Sequence, residues 1–175
     1  MLPKERTEND PKSQTLDRQV ALLVQSTPDE ETASAVRLIA SVLKAIAQNL
    51  RHTIYFVIQD IEGGWLLTPL NNHDNPEVEK TTIYAYCDRT PANIDRLRLN
   101  DKNLECGEYN VIDMLFRLIG MKQVDSIVFF DRATETQKGI EIGRSDIEKL
   151  CEKQIKRAQF GLEKLNEIKN NADIA

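Results

Sequence analysis

The stretch "VDSIVFFDRATETQKGIEIGRSDIEKL", residues 124–150, decides the fold class because it predicts a strand, a polar loop, a second strand and a helix in succession. The run "DSIVFFD" is rich in β-branched and aromatic residues, which are enriched in strands. The polar residues "RATETQKG" then return the chain to the short strand "IEI". Ser145 and, three residues later, Glu148 match the capping box with which many helices begin. The sequence therefore predicts that two strands and a helix form the C-terminal part of the domain.

Apolar residues continue beyond Ser145 at steps of four and three, which is the spacing of one face of a helix. They are Ile147, Cys151, Ile155, Ala158, Leu162 and Leu165. This stripe spans roughly 28 Å, and it leaves two interpretations open. Either it packs wholly within its own chain, or its C-terminal half docks on a second copy or on another protein. Leu162 and Leu165 are therefore candidate binding residues.

Two further helices are expected near the N-terminus. The sequence "TPDE", residues 27–30, predicts an amphipathic helix with Thr27 as its N-cap. Before it, "LDRQVALLVQS" fits either a helix or a strand, and we prefer the helix. Residues 1–15 contain almost no apolar side chains, which predicts a disordered tail, and residues 171–175 are expected to fray.

The middle of the chain predicts three strands, "TIYFVIQD", "WLLTPL" and "TTIYAYCD", of which the first two are joined by a Gly-Gly turn. The first strand is apolar on both faces, which is typical of a central strand. In the third strand Ile83, Ala85 and Cys87 lie on one face and Tyr84 and Tyr86 on the other, and in "DSIVFFD" Ile127 and Phe129 lie opposite Val128 and Phe130. The polar run "NNHDNPEVEK" predicts a loop before the third strand. A short helix from Thr90 and a longer one through "YNVIDMLFRLIG" are expected to follow.

These elements predict one α+β domain over residues 16–170. Its sheet is expected to be mostly antiparallel, with four to five strands, and to be packed by N-terminal and C-terminal amphipathic helices. The ending "GIEIGRSDIEKL" resembles the closing unit of SseB-like N-terminal domains. The resemblance covers a small part of the chain and includes no diagnostic residue, so no function follows from it.

Composition narrows the classes of partner. The 175 residues include 28 acids and 23 bases, a formal net charge of −5, and no stretch of the sequence concentrates Lys and Arg. Nucleic-acid binding is therefore disfavoured. The chain shows neither the apolar core of a signal peptide nor the ~18 consecutive apolar residues of a membrane helix, so we expect a cytoplasmic protein without a membrane partner. Three widely spaced cysteines, Cys87, Cys106 and Cys151, fit reduced thiols.

A few residues are candidates for a site. Trp65, the sole tryptophan, follows a turn and is either an interface residue or part of the core or its rim. The pair Asp131–Arg132 ends a strand, where binding residues often lie, although a turn-forming Asp and a solvated Arg explain it equally well.

The polar run "NNHDNPEVEK" also offers possible metal ligands. His73, Asp74 and Glu77 could hold a divalent cation such as Ca²⁺ or Mg²⁺, or they could belong to a solvated loop. The spacing matches no known calcium loop or zinc helix, so the solvated loop is the simpler interpretation.

Catalytic signatures are weak throughout the sequence. No Gly-x-Ser-x-Gly turn, P-loop or dinucleotide fingerprint is present, and the two glutamates around Cys106 are expected to raise the pKa of its thiol. The leading hypothesis is a non-catalytic cytoplasmic accessory or protein-interaction module without a cofactor, for which homodimer formation is one mode of interaction. The alternative is an enzyme or small-ligand-binding domain whose pocket lies between the sheet and a helix.

Overall fold

The computed structural model describes residues 10–72, 75–135 and 138–172. These residues form one α+β domain, as predicted. Its helices are α1 (Pro11–Gln25), α2 (Glu30–Asn49), α3 (Arg89–Arg98), α4 (Val111–Gly120) and α5 (Arg144–Ala172). Its strands are β1 (Ile54–Asp60), β2 (Thr68–Asn72), β3 (Asn75–Tyr86), β4 (Leu104–Asn110), β5 (Ser126–Phe130) and β6 (Ile140–Gly143).

Helix α1 begins inside the segment for which we predicted a disordered tail. Pro11 occupies its first turn, and Ser13 and Leu16 are buried. The Lys12 ammonium donates a hydrogen bond to the Gln48 carbonyl oxygen at 2.9 Å and another to that of Leu50 at the end of α2. Packing against α2 therefore orders the chain from Pro11 onward, and residues 1–9 lie outside the described residues.

The caps of α2 and α5 differ from the sequence-based prediction. Asp29, not Thr27, caps α2, because its carboxylate accepts a hydrogen bond from the Thr32 amide at 2.7 Å. The same hydrogen bond lowers the pKa of Asp29. The Thr27 hydroxyl donates instead to the Val24 carbonyl and closes the end of α1. Helix α5 begins at Arg144, so Ser145 lies within its first turn and is not its cap.

The sheet has six strands, where four to five were expected, and it is mixed, with one parallel pair among mostly antiparallel ones. The order is β4-β1-β3-β5-β6, and β2 pairs with the first part of β3. Four strand pairs are antiparallel, but β3 and β5 are parallel. The parallel pair arises because α3, β4 and α4 separate β3 from β5, so the chain crosses over before it returns to the sheet.

Strand structure occurs in two places where the sequence did not predict it. Strand β4, "LECGEYN", pairs with β1 at one edge of the sheet, and strands β2 and β3 include the described part of the run for which we expected a loop. As predicted, β1 is central, between β4 and β3.

The two faces of the sheet carry two apolar clusters. The larger cluster joins α1, α2, α4 and α5 to one face of the sheet, through Tyr55, Val57, Ile83, Ala85, Ile127 and Phe129. The smaller cluster packs Ala92 of α3 against Ile58, Tyr86 and Phe130 on the other face. The alternation predicted for β3 and β5 is confirmed. Among the helices of the described residues, none is both long and apolar enough to cross a bilayer.

Candidate functional site

Asp131 lies directly after β5 and is bound to the segment that leads into β1. Its Oδ1 accepts a hydrogen bond from the Tyr55 hydroxyl, and its Oδ2 accepts one from the Arg51 amide at 3.1 Å. The Asp131 carbonyl oxygen lies 3.0 Å from Nε2 of His52. Both carboxylate oxygens are thus used within the domain, where they hold the start of β1 against the end of β5.

Arg132 follows Asp131 in sequence but does not share its contacts. Its guanidinium pairs with the Glu135 carboxylate at 3.1 Å, and both side chains are exposed. The structure therefore places the two members of the predicted pair in different environments, one internal and one at the surface.

The three thiols have raised pKa values. Burial is the main cause for Cys87, Cys106 and Cys151. At Cys106 the neighbouring Glu105 adds to the increase, in the direction expected from the sequence, while two arginines oppose it. A thiol with a raised pKa is protonated near neutral pH and is a poor nucleophile. All three cysteines are free.

Trp65 lies in the larger core cluster, where only 8% of its surface is exposed. Its ring meets that of Tyr109 edge to face, with 5.0 Å between the centroids, and the Arg117 guanidinium lies 5.6 Å from its centroid. Its Nε1 has no hydrogen-bond partner among the described residues. Trp65 therefore contacts its own chain on several sides.

Two of the possible metal ligands, His73 and Asp74, lie outside the described residues, and so does the side chain of the third, Glu77. Within the part of the chain that the structure describes, no group of three or more His, Cys, Asp or Glu side chains is placed to hold a metal ion.

A polar cleft of about 360 Å³ lies between α1, β4 and α4. Its walls include Gln19, Glu108, Tyr109, Asn110, Asp113 and Arg117. Several of these groups are already paired: Gln19 Nε2 donates to Asn110 Oδ1 at 3.2 Å, and Arg117 binds Asp113 at 2.8 Å. The cleft lies where two helices meet the edge strand β4.

Helix α5 starts in the core and extends beyond it. Ile147 and Cys151 are buried, Ile155 and Ala158 are half-buried, and every residue in 159–166 is exposed. We call residues 159–172 the distal segment of α5. Its 14 residues extend roughly 21 Å as a helix. The apolar stripe predicted from the sequence therefore begins against the sheet and continues into solvent.

Two leucines of the stripe lie on the distal segment without cover from the described chain. Leu162 is 62% exposed and Leu165 is 55% exposed. The residues that flank them on the helix, Gln159, Gly161 and Asn166, are uncharged. Between Gln159 and Asn166 the distal segment thus presents an apolar strip with neutral borders.

A second feature of α5 was not anticipated from the sequence. Five cations, Lys149, Lys153, Lys156, Arg157 and Lys164, share the opposite side of the helix with Phe160. Their helical spacing could have predicted this basic surface from the sequence. The five residues are too dispersed, however, to appear as a run of basic residues.

The candidate sites thus differ in what they offer to a partner. Asp131 and Trp65 are engaged inside the domain, whereas Leu162 and Leu165 contact solvent. Neither a scan against protein-family models nor a search of the curated proteins finds a match to this chain.

Proposed function

We propose that this protein is a non-catalytic interaction module of the cytoplasm that associates with a second copy of itself through the distal segment of α5. The observation that supports this proposal is the apolar stripe, which leaves the core at Ala158 and continues uncovered through Leu162 and Leu165. Full burial of a leucine side chain stabilises by roughly 1.5–3 kcal/mol relative to exposure. Burial of both leucines by a partner therefore supplies a substantial part of the free energy of association.

The distal segment also has no tertiary support within its own domain over residues 159–166, which are all exposed. Most helical stability in proteins comes from the packing of an amphipathic face. Gly161 lies within the segment, with no described atom near the position that a Cβ would take, and an interior glycine costs about 1 kcal/mol relative to alanine. A second helix packed along the stripe would supply the missing contacts.

The charge distribution suits a second copy of the same helix. The flanks of the stripe at Gln159, Gly161 and Asn166 are neutral, so two copies can approach at Leu162 and Leu165 without repulsion between like charges, and the first cation on the same side beyond Leu165 is Lys169. The five cations lie on the far side of each helix. In a helix pair they are separated by about two helix diameters, roughly 20 Å, which exceeds the Debye length of about 8–10 Å near physiological salt.

The contact is small, which sets the expected affinity. Two or three helical turns from each copy bury less than the ~1,200 Å² at which standard interfaces begin. We therefore expect a dissociation constant in the micromolar range or weaker, with monomer and dimer in rapid exchange.

Sedimentation velocity of the full chain at increasing concentration tests this proposal. We expect the average sedimentation coefficient to rise with concentration, and the variant Leu162→Gln/Leu165→Gln to remain monomeric. The matched control is Leu97→Gln/Leu99→Gln, which removes two exposed leucines at the end of α3 and should associate like the parent. Association that survives the α5 substitutions, or an unmodified chain that stays monomeric at about 1 mM, would overturn the proposal.

The polar cleft between α1, β4 and α4 supports the alternative, a small-ligand-binding domain. Its volume of about 360 Å³ lies at the lower end of the range for ligand pockets. Native mass spectrometry of freshly purified protein separates the two functions. A stoichiometric bound small molecule that is lost on the substitution Arg117→Ala would favour the alternative.

A further inference from the structure

Helix α5 carries a second surface on the side opposite the apolar stripe. Lys153 and Leu162 are nine residues apart, which is two and a half turns of ~3.6 residues, so they point in opposite directions. Lys149, Lys156, Arg157 and Lys164 lie on the same side as Lys153. We call these five residues the basic face.

One carboxylate, that of Glu152, lies beside the five cations of the basic face. In the described parts of the chain, none of the five forms an ion pair, whereas Arg144 at the start of the same helix binds Glu148 at 2.7 Å. Without these cations the formal net charge of −5 would be −10. An acidic protein therefore concentrates five positive charges, with the carboxylate of Glu152 among them, on one side of one helix.

Phe160 adds an apolar element in the middle of this face. Its side chain is 64% exposed, and the Lys164 ammonium lies 5.8 Å from the centre of its ring. Aromatic side chains and arginine are enriched at protein–protein interfaces relative to the rest of the surface.

We propose that the basic face binds an acidic segment of another protein, with carboxylates that meet the five cations and an apolar side chain that contacts Phe160. The inference rests on the proposed function, because both surfaces belong to the projecting helix. Since they lie on opposite sides of that helix, the acidic segment and the second copy can bind at the same time.

The rest of the molecule favours a short protein segment over a broad polyanion. The basic face is one helix wide, and the remaining charge of the chain is strongly negative. A membrane surface or a nucleic-acid duplex would bring this negative remainder close to its own phosphates, which is unfavourable. A peptide that lies along the helix avoids that contact.

Fluorescence anisotropy with a labelled peptide tests the proposal directly. The probe is a peptide of about 12 residues, all Glu or Asp except for one central Leu, which as a helix matches roughly 18 Å of α5. We expect saturable binding to the full chain that weakens at least tenfold when NaCl rises from about 50 to about 300 mM.

Charge reversal locates the binding site. Lys153→Glu/Lys156→Glu/Arg157→Glu should weaken peptide binding at least tenfold. The control Lys102→Glu/Lys122→Glu/Lys138→Glu, three exposed lysines outside α5, changes the net charge equally and should alter the affinity less than about threefold. Equal losses in both variants would refute the site.

Two further results would also refute the inference. One is the absence of peptide binding at millimolar concentration, and the other is tighter binding to single-stranded RNA or to phosphatidylserine vesicles than to the peptide. Leu162→Gln/Leu165→Gln separates this inference from the proposed function, because it should abolish self-association and retain peptide binding.

Discussion

The Tyr55 hydroxyl donates a hydrogen bond to the Asp131 carboxylate, which links two residues that are 76 positions apart in the chain. Tyr55 lies on β1 and Asp131 follows β5, and these strands are not neighbours because β3 lies between them. The bond therefore spans β3 at one end of the sheet. Asp131 also holds the Arg51 amide, so one carboxylate fixes the path of the chain from α2 into β1.

Removal of this hydroxyl should destabilise the fold. In Tyr55→Phe, the Asp131 Oδ1 atom loses its partner in a part-buried position, and we expect the free energy of unfolding to fall by about 1–2 kcal/mol. Urea denaturation at neutral pH measures the change. The control is Tyr84→Phe, because the half-buried Tyr84 has no hydrogen bond from its hydroxyl to a described residue. A loss no larger than that of the control would contradict a structural role for the bond.

Alkaline pH should destabilise the protein through two buried tyrosines. Burial and hydrogen bonds to Asp131 and Asp95 raise the pKa values of Tyr55 and Tyr86, respectively. Below about pH 10 both side chains are protonated in the folded and unfolded states, so they add no pH dependence. Above about pH 10 the two tyrosine hydroxyls lose their protons in the unfolded chain but keep them in the folded chain. The free energy of unfolding therefore falls by up to about 1.4 kcal/mol per pH unit for each tyrosine.

The double variant Tyr55→Phe/Tyr86→Phe isolates this effect. Its stability is expected to decrease less steeply between about pH 10 and pH 11.5 than that of the parent chain, when both are measured by urea denaturation. An unchanged slope would show that other groups cause the alkaline loss.

Gly107 on β4 should not tolerate a side chain. A Cβ at this position would lie 2.6 Å from Cδ of Gln59 and 2.8 Å from Cε2 of Tyr109. The Gln59 side chain cannot easily move, because it accepts a hydrogen bond from the Tyr109 hydroxyl and donates one to Glu105 at 2.9 Å. We expect Gly107→Ala to destabilise by about 1–3 kcal/mol in urea denaturation.

Gly120 provides the matched control for Gly107. It ends α4, and no described atom lies within 4 Å of the position of its Cβ. Gly120→Ala should therefore change stability by less than about 0.5 kcal/mol. Similar losses at the two glycines would mean that the contacts around Gln59 and Tyr109 do not restrict the strand.

Local sequence predicted the elements with strong periodicity and missed those whose form depends on distant residues. The alternation in β3 and β5 identified both strands and their two faces. Strand β4 escaped prediction because "LECGEYN" mixes glutamates with a glycine, and its strand structure depends on pairing with β1. The parallel pairing of β3 and β5 could not be predicted either, because it depends on the route of α3, β4 and α4 between them.

The candidate site was also predictable from the sequence only in part. The apolar stripe through Leu162 and Leu165 followed from helical spacing, but its exposure depends on where the sheet and α2 end. The role of Asp131 as a partner of Tyr55 is not visible in the local sequence, since the two residues are far apart in the chain. Likewise, the basic face exists only because α5 is one continuous helix from Lys149 through Lys164, roughly four turns.

The most direct test of the central claim is the distance between two copies at defined sides of α5. A nitroxide spin label at Asn166 lies at the border of the apolar stripe, whereas a label at Lys164 lies on the opposite side of the helix. Double electron–electron resonance on each labelled chain, with the three native cysteines replaced by alanine, measures the distance between copies. We predict a shorter distance for the label at Asn166 than for the label at Lys164. A shorter distance at Lys164, or no defined distance at either position at high concentration, would contradict association through the apolar stripe.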